Sequence, residues 1–203
     1  MNRTQRDYPR IRELMEAICR VQQMRSDEWS RIKSQALSAL PKTRQANSEA
    51  NRVAYSATTE RADALVRLLQ TLFEDVLQLK DEEILEGEPS SFQRLMAFLS
   101  VDLLAFRCGY EKEHYLRILK RARLSPNQQI ELQALGLSQC HTPGFRREFV
   151  ELSRLMIRLA DTQFVSALSD LASSTDLSTR RKSEFMLARI LNSRTDLRSA
   201  PNA

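Results

Sequence analysis

Glycine is scarce in this chain, and its placement constrains the fold more than any other feature of the sequence. Only four of the 203 residues are glycine, and the first of them is Gly87. A sheet of many strands needs tight turns, and these depend on residues that adopt positive φ angles, glycine above all. The sequence therefore predicts an all-α protein.

The clearest helical pattern lies between Ala62 and Leu79, where apolar side chains recur every three or four residues. This stripe is wider than the seam of a two-stranded coil, so other helices are expected to cover it on more than one side. A second stretch, 92–106, is apolar almost all round and is predicted to be buried too. We therefore expect an irregular multi-helical bundle of about eight helices around a long central helix, 62–79.

Two alternatives remain open at this level. Residues 51–79 form either one long helix or two helices that join near Thr58 and Thr59. Stacked helical pairs would also be all-α. The two starts marked by proline, Ser125-Pro126 and Thr142-Pro143, do not continue at a fixed spacing, which favours the irregular bundle.

Several short patterns predict where helices begin and end. Ser90 and Gln93 have the spacing of a capping box, while Gly109 and Gly136 are typical of residues that close a helix. The helix after Thr142 has the most regular apolar stripe, which begins at Phe145 and is predicted to face inward.

The acidic segment 80–89, KDEEILEGEP, is the best internal boundary in the chain. It contains five carboxylates and ends in Gly-Glu-Pro, so we interpret it as an exposed connection. It predicts a long-helix half, 1–88, and a short-helix half, 89–194, which fold together as one domain. The tail, 195–203, is predicted to be disordered because it is small and polar.

The composition indicates a cytoplasmic protein. No apolar run approaches the ~20 residues that a spanning helix needs, and the first residues lack the apolar core of a secretory signal. Membrane binding is therefore not expected. The odd number of cysteines, at positions 19, 108 and 140, is a poor basis for disulfide pairing, so reduced thiols are predicted.

Motifs that carry catalysis are missing from the sequence. It has no glycine-rich phosphate loop and no HExxH pair, and its acidic cluster lies in a predicted exposed connection. We therefore expect no enzyme, no cofactor and no small-molecule substrate. One metal hypothesis uses both histidines and two cysteines, namely Cys108, His114, Cys140 and His141. Their spacing lacks a CxxC or HxxxH pair, so the absence of zinc is the favoured interpretation.

Arginine dominates the basic residues, since only six of the 31 lysines and arginines are lysines. A guanidinium suits phosphate better than an ammonium does, although a biased genome composition explains the excess equally well. Two predicted helices, 111–123 and 143–160, concentrate these charges, and helix starts at Ser125 and Thr142 would add backbone donors. The candidate nucleic-acid-binding residues are Arg117, Lys120, Arg121, Arg123, Arg146, Arg147, Arg154 and Arg158.

The sequence thus favours a non-enzymatic regulatory protein that binds nucleic acid, with DNA as the expected ligand and transcription as the expected process. The alternative is a helical adaptor that binds a protein partner or a second copy of itself. It is favoured by the acidic stretch 51–100, which holds nine acidic and five basic side chains between two basic flanks. An ordinary solvated basic surface would give the same charge pattern.

Overall fold

The structure is a computed structural model that describes residues 3–39, 44–101, 106–142 and 144–199. These residues form helices and their connections, with no strand among them, which confirms the predicted all-α fold. The helices are α1 (Arg3–Ser38), α2 (Arg44–Ala57), α3 (Thr59–Gln70), a π-helical segment (Thr71–Leu77), α4 (Asp81–Leu85), α5 (Pro89–Ser100), α6 (Phe106–Leu119), α7 (Pro126–Cys140), α8 (Arg147–Leu159), α9 (Thr162–Ala172) and α10 (Leu177–Ser199). None of the described helices combines the length and apolar character needed to cross a bilayer.

Contacts within the chain divide it into two compact units between Gln78 and Leu79. The first unit contains α1, α2, α3 and the π-helical segment, and the second contains α4 to α10. The acidic segment 80–89 thus packs with the residues that follow it. That residues 1–88 and 89–194 are two halves of one co-folded domain stays a prediction.

In the first unit, α1 packs along α2, α3 and the π-helical segment in turn. Ile11, Met15 and Ile18 are completely buried on α1 at alternating spacings of four and three residues, the spacing of a helix-pair seam. The facing surface of α2 buries three alanines at intervals of four, Ala46, Ala50 and Ala54. Because these side chains are small, the two helix backbones can approach closely.

The predicted central helix 62–79 is present but changes its character at Thr71. There the backbone bonds widen to a five-residue spacing, as in the 3.2 Å bond from the Gln78 amide to the Phe73 carbonyl. Gln78 then adopts a left-handed conformation, with φ at 43°, and ends the segment. Leu72 is fully buried and Phe73 only partly, so one side of this helix is covered rather than several.

The second alternative for residues 51–79 is the observed one, because the helix breaks at Thr58. The buried Thr58 hydroxyl donates to the carbonyl oxygen of Ala54 at 2.9 Å, an acceptor that it shares with its own amide at 3.2 Å, and such back-bonding bends helices. Helix α2 therefore ends at Ala57 and α3 begins at Thr59. This break, together with a helix in the acidic segment, raises the number of α-helices from about eight to ten in the described residues.

The second unit has two layers of helices that alternate along the chain. In one layer α4, α6, α8 and α10 each pack against the next member, and in the other α5, α7 and α9 do the same. This is the packing order of stacked helical pairs, which the irregular spacing of helix starts did not predict. Helix α5 is buried almost all round between Ser91 and Leu99, as its sequence predicts. It ends at Ser100, and the predicted continuation through 102–105 lies outside the described residues.

Short sequence patterns predicted some helix ends correctly and others wrongly. Ser125 and Gln128 form the complete capping box of α7. At α5, however, Glu88 is the N-cap rather than Ser90, because Pro89 occupies the first helical position and the Glu88 carboxylate accepts a 2.6 Å bond from the Ser91 amide.

Two further predictions of helix ends were wrong. Gly109 lies inside α6, and Gly136 lies inside α7, where the Met156 sulfur is only 3.1 Å from the position that a Cβ would take. Close packing against α8 therefore explains Gly136. In the predicted tail, residues 195–199 belong to α10, and residues 200–203 lie outside the described ranges.

The acidic segment 80–89 is not a solvated connection. Residues 81–85 form α4, which packs against α6 and buries Ile84. Beyond α4, the Arg123 amide donates to the carbonyl of Leu85 at 2.8 Å, and Gly87 lies directly against the Arg123 carbonyl. The segment is therefore fixed to the turn that follows α6, and that turn carries part of the predicted basic site.

Candidate nucleic-acid interface

Helices α6 and α8 pack side by side in one layer of the second unit. The eight predicted basic residues lie on α6, on the turn after it, at the N-cap of α8 and along α8. The structure therefore brings together two basic helices that are separate in the sequence. Whether this surface binds nucleic acid is a question of how its charges are arranged.

Two buried glutamates occupy the centre of the surface. Glu151 on α8 is only 3% exposed. Its carboxylate accepts a 2.8 Å hydrogen bond from the Lys120 ammonium, pairs closely with Arg154 and lies 3.9 Å from Arg117 Nε. Glu113 on α6 is 5% exposed, pairs closely with Arg117, and lies 3.6 Å from Arg147 Nε. Arg117 thus links the two carboxylates across the α6–α8 contact.

The charge state of this network follows from its geometry. Burial alone would raise the pKa of Glu151, but hydrogen bonds and charge attraction from Lys120 and Arg154 together outweigh burial, and the pKa is lowered. Glu151 is therefore ionised at neutral pH. Its negative charge cancels part of the positive charge that a count along the sequence assigns to this surface.

Arg158 binds backbone carbonyls of the protein itself. Its guanidinium donates to the carbonyl oxygens of Leu119 at 3.3 Å, Lys120 and Ala122 at 2.8 Å, which lie at the C-terminal end of α6 and just after it. Carbonyls at a helix end have no partner within the helix and carry its negative dipole, so a cation there is stabilising. Arg158 therefore holds α8 against α6 and has fewer donors left for a ligand.

Two buried lysines of the second unit bind carbonyls at helix ends in the same way. The buried Lys112 ammonium donates to the carbonyls of Leu99, at 3.2 Å, and Val101, at the end of α5. The buried Lys182 ammonium donates to those of Gln139, at 3.0 Å, and Thr142, at 2.6 Å, at the end of α7. Part of the basic content of this chain is thus internal, a use that the sequence pattern did not reveal.

The remaining predicted residues differ in their pairing. Arg123 binds Glu86 at 3.0 Å, and Arg146 lies 4.0 Å from Glu148. Arg121 is exposed and has no ion-pair partner among the residues that the structure describes. Among the described ion pairs, six of the eight cations lie near one of four carboxylates, those of Glu86, Glu113, Glu148 and Glu151. The surface is positive, but less so than its sequence indicates.

The backbone donors predicted at Ser125 are partly used by a capping box, and those predicted at Thr142 lie farther along the chain. At Ser125 the side chain already accepts from the Gln128 amide at 3.3 Å. Helix α8 begins at Arg147 rather than after Thr142, whose hydroxyl instead donates to the Gln139 carbonyl at 2.8 Å. Pro143, the other half of that predicted start, lies outside the described residues.

Sequence reasoning missed a group of aromatic side chains near the start of α8. Phe145 was predicted to begin the buried stripe, but α8 starts two residues later, and Phe145 is 51% exposed. Its ring packs edge-on against Phe149 on α8 and Phe185 on α10. Tyr110 on α6 is 46% exposed and lies under the Arg147 guanidinium, 5.1 Å from the ring centroid. The signal that could have indicated the exposure of Phe145 is the start of α8 at Arg147, which leaves Phe145 outside the helix.

The four residues of the zinc hypothesis do not form a metal site. His114 Nε2 lies 3.1 Å from an Asp81 carboxylate oxygen, and the Cys140 thiol donates to the Gly136 carbonyl at 3.5 Å. Cys108 is buried and His141 is exposed. Within the described ranges, no three histidine, cysteine or acidic side chains are grouped as metal ligands.

Comparison with known proteins adds no functional assignment to this geometry. No protein-family model, no curated protein and no solved structure gives a significant match to the chain.

Proposed function

We propose that this chain is a non-enzymatic regulatory protein that binds nucleic acid through the joint surface of α6 and α8. The observation that carries the proposal is the set of exposed guanidiniums held in place by buried carboxylates. Arg117, Arg147 and Arg154 each pair with Glu113 or Glu151, and their side chains remain 54%, 68% and 47% exposed.

A paired guanidinium can still bind a phosphate. It has five N–H donors in a planar fork, and a single carboxylate leaves some of them unused. Pairing also fixes the side chain, so that less conformational entropy is lost when a ligand binds. Glu113 and Glu151 would therefore orient Arg117, Arg147 and Arg154 toward a phosphate backbone rather than only neutralise them.

The partial neutralisation limits the strength of binding. If about three phosphates are contacted, the affinity for duplex DNA should fall with a slope of roughly −3 in a plot of log K against log salt, at about −0.9 per phosphate. Such a slope would indicate a moderate electrostatic interaction. It is best measured from low ionic strength upward, where the Debye length is long.

The test uses two substitutions on the surface and one elsewhere. Arg121→Glu and Arg147→Gln should each weaken binding of a labelled DNA duplex in fluorescence anisotropy and reduce the salt slope by about one. Arg67→Glu is the matched control, since Arg67 is also exposed but lies on α3 in the first unit. Lys120 is unsuitable for charge reversal, because a carboxylate there would face the buried Glu151, whose distance from the lysine is 2.8 Å. If the wild-type protein binds no nucleic acid at low salt, the proposal is wrong.

An adaptor function is the second candidate, and the first unit supplies the observation that favours it. Its helices leave several large apolar side chains exposed, Met24, Val53, Tyr55 and Val66. Such side chains are enriched where a partner covers a surface. This function predicts no salt-sensitive retention on nucleic acid. It also predicts a complex, with a protein partner or a second copy, that light scattering detects and that Val66→Ser weakens.

A further inference from the structure

Two exposed aromatic rings lie near the start of α8, on the arginine-rich layer of the second unit. Phe145 packs edge-to-face against Phe149, with ring centroids 5.2 Å apart, and against Phe185, at 4.9 Å. Phe149 is buried and Phe145 is 51% exposed, so Phe145 is the exposed member of an edge-to-face aromatic cluster that reaches into the core. These two contacts restrict the orientation of the Phe145 ring.

One guanidinium lies over Tyr110, and another lies over Phe185, the ring that packs against Phe145. Arg147 lies over Tyr110 at 5.1 Å and also donates to its hydroxyl at 3.2 Å. Arg189 on α10 lies 5.1 Å from the centre of Phe185, the neighbour of Phe145. Helices α6, α8 and α10 therefore all contribute aromatic rings or guanidiniums to this group, and α10 had no part in the predicted site.

We propose that this group of side chains binds single-stranded nucleic acid, with bases stacked on Phe145 and Tyr110 and phosphates at Arg147 and Arg189. The inference rests on the proposed function and narrows it to one class of ligand. A single strand presents the flat faces of its bases, which stack on aromatic rings regardless of sequence, whereas a duplex keeps those faces inside. The positive charge of the surface complements the phosphates that connect the stacked bases.

The ligand series separates stacking from charge. Three labelled probes of equal length are compared by fluorescence anisotropy: an oligo-dT strand, an abasic strand with the same phosphates, and a dA·dT duplex. Stacking on two rings should make oligo-dT bind at least about tenfold more tightly than the abasic strand. Polyglutamate serves as an anionic polypeptide of similar charge. Equal affinity for polyglutamate and oligo-dT would overturn the inference in favour of an acidic protein partner.

The variants test the two rings directly. Phe145→Leu keeps apolar contact with Phe149 and Phe185 while removing the flat face, and Tyr110→Ala removes the second platform. Each should reduce the affinity for oligo-dT by about fivefold or more, and Phe145→Leu should leave the affinity for the abasic strand unchanged. Tyr55→Ala is the matched control, because Tyr55 is also exposed, at 63%, but lies in the first unit. Circular dichroism checks that every variant is folded.

The inference and the proposed function fail in different ways. If all three nucleic-acid probes bind with similar affinity and a normal salt slope, and the aromatic variants change nothing, the stacking inference is overturned while nucleic-acid binding stands. If no probe binds at low salt, both are overturned. Loss of oligo-dT binding in Tyr55→Ala to the same extent as in Phe145→Leu would also refute the assignment to α6, α8 and α10.

Discussion

The contact between Gly87 and the turn after α6 makes a sharp prediction about stability. Gly87 has a φ of +71°, and a Cβ added there would lie 2.1 Å from the Arg123 carbonyl oxygen. Real Cβ atoms do not approach other atoms to less than 3.0 Å, so the Arg123 backbone would have to move by about 1 Å. We therefore predict that Gly87→Ala detaches the acidic segment from the turn.

The cost can be estimated in two parts. A left-handed conformation costs an alanine about 1–2 kcal/mol relative to a right-handed one. Movement of the turn would also break the 2.8 Å bond from the Arg123 amide to Leu85 and the 2.9 Å bond from Gln128 Nε2 to the Gly87 carbonyl. At about 1 kcal/mol for each bond, the total is roughly 3–4 kcal/mol.

Gly144 is the matched control for this experiment. Its φ of +79° imposes the same backbone strain, yet no atom lies within 4 Å of the position that its Cβ would take. Gly144→Ala should therefore cost only ~1–2 kcal/mol. The difference of about 2 kcal/mol between the variants isolates the steric contact at Gly87, and it corresponds to about 1 M in the urea midpoint at a typical m-value.

The measurement must report on the second unit. The single tryptophan, Trp29, lies in the first unit, so far-ultraviolet circular dichroism is preferable to tryptophan fluorescence. Hydrogen exchange at the Arg123 amide gives a local readout, since its bond to Leu85 should protect it in the wild type and not in Gly87→Ala. Equal destabilisation by the two alanine variants, within ~0.5 kcal/mol, would refute the close approach.

Three other predictions concern single side chains. Leu72→Ala should cost ~2–5 kcal/mol in urea denaturation because Leu72 is fully buried, and a cost below ~0.5 kcal/mol would place it outside the core. The pKa of Glu88 is lowered to about 2, since hydrogen bonds from Ser90 and Ser91 outweigh the opposing effect of burial. Its contribution to stability is therefore complete above pH ~4.5 and is lost as the pH falls through about 2, so Glu88→Gln should flatten this acid limb. Lys182→Met should cost ~1–3 kcal/mol in thermal denaturation, because the carbonyls of Gln139 and Thr142 lose their donor, and full stability in this variant would contradict the capping role.

Sequence patterns predicted what depends on neighbours along the chain. The all-α class, the burial of α5 and the capping box at Ser125 follow from residues a few positions apart, because local spacing decides which side chains share a face or reach a backbone amide. The sequence left two alternatives open at Thr58, a continuous helix and a break, because a local pattern allows both. A hydroxyl that can bind the carbonyl four residues back competes with the helix, but only the finished structure shows whether it does.

The sequence identified the charged residues of the candidate site, but it did not predict how their side chains are paired. Glu151 neutralises Lys120 across 31 positions of sequence, and Arg158 binds the carbonyl of Leu119 across 39. These distances are set by the packing of α6 against α8, which no local pattern contains. Gly136 was misread for a similar reason, because its role is to admit Met156 from another helix rather than to end its own.

The π-helical segment Thr71–Leu77 has a consequence for the length of this chain. Its five-residue bond spacing fits one more residue into a turn than an α-helix does. A π-helical turn is therefore a place where a single residue can be removed without shifting the residues that follow it, provided that the removed residue points into solvent. Glu74 and Asp75 are both exposed, while Leu72 and Val76 on either side of them form the core. Deletion of Glu74 should thus convert this stretch to ordinary α-helix, and length variation among related chains should be tolerated here rather than in the neighbouring turns of α3.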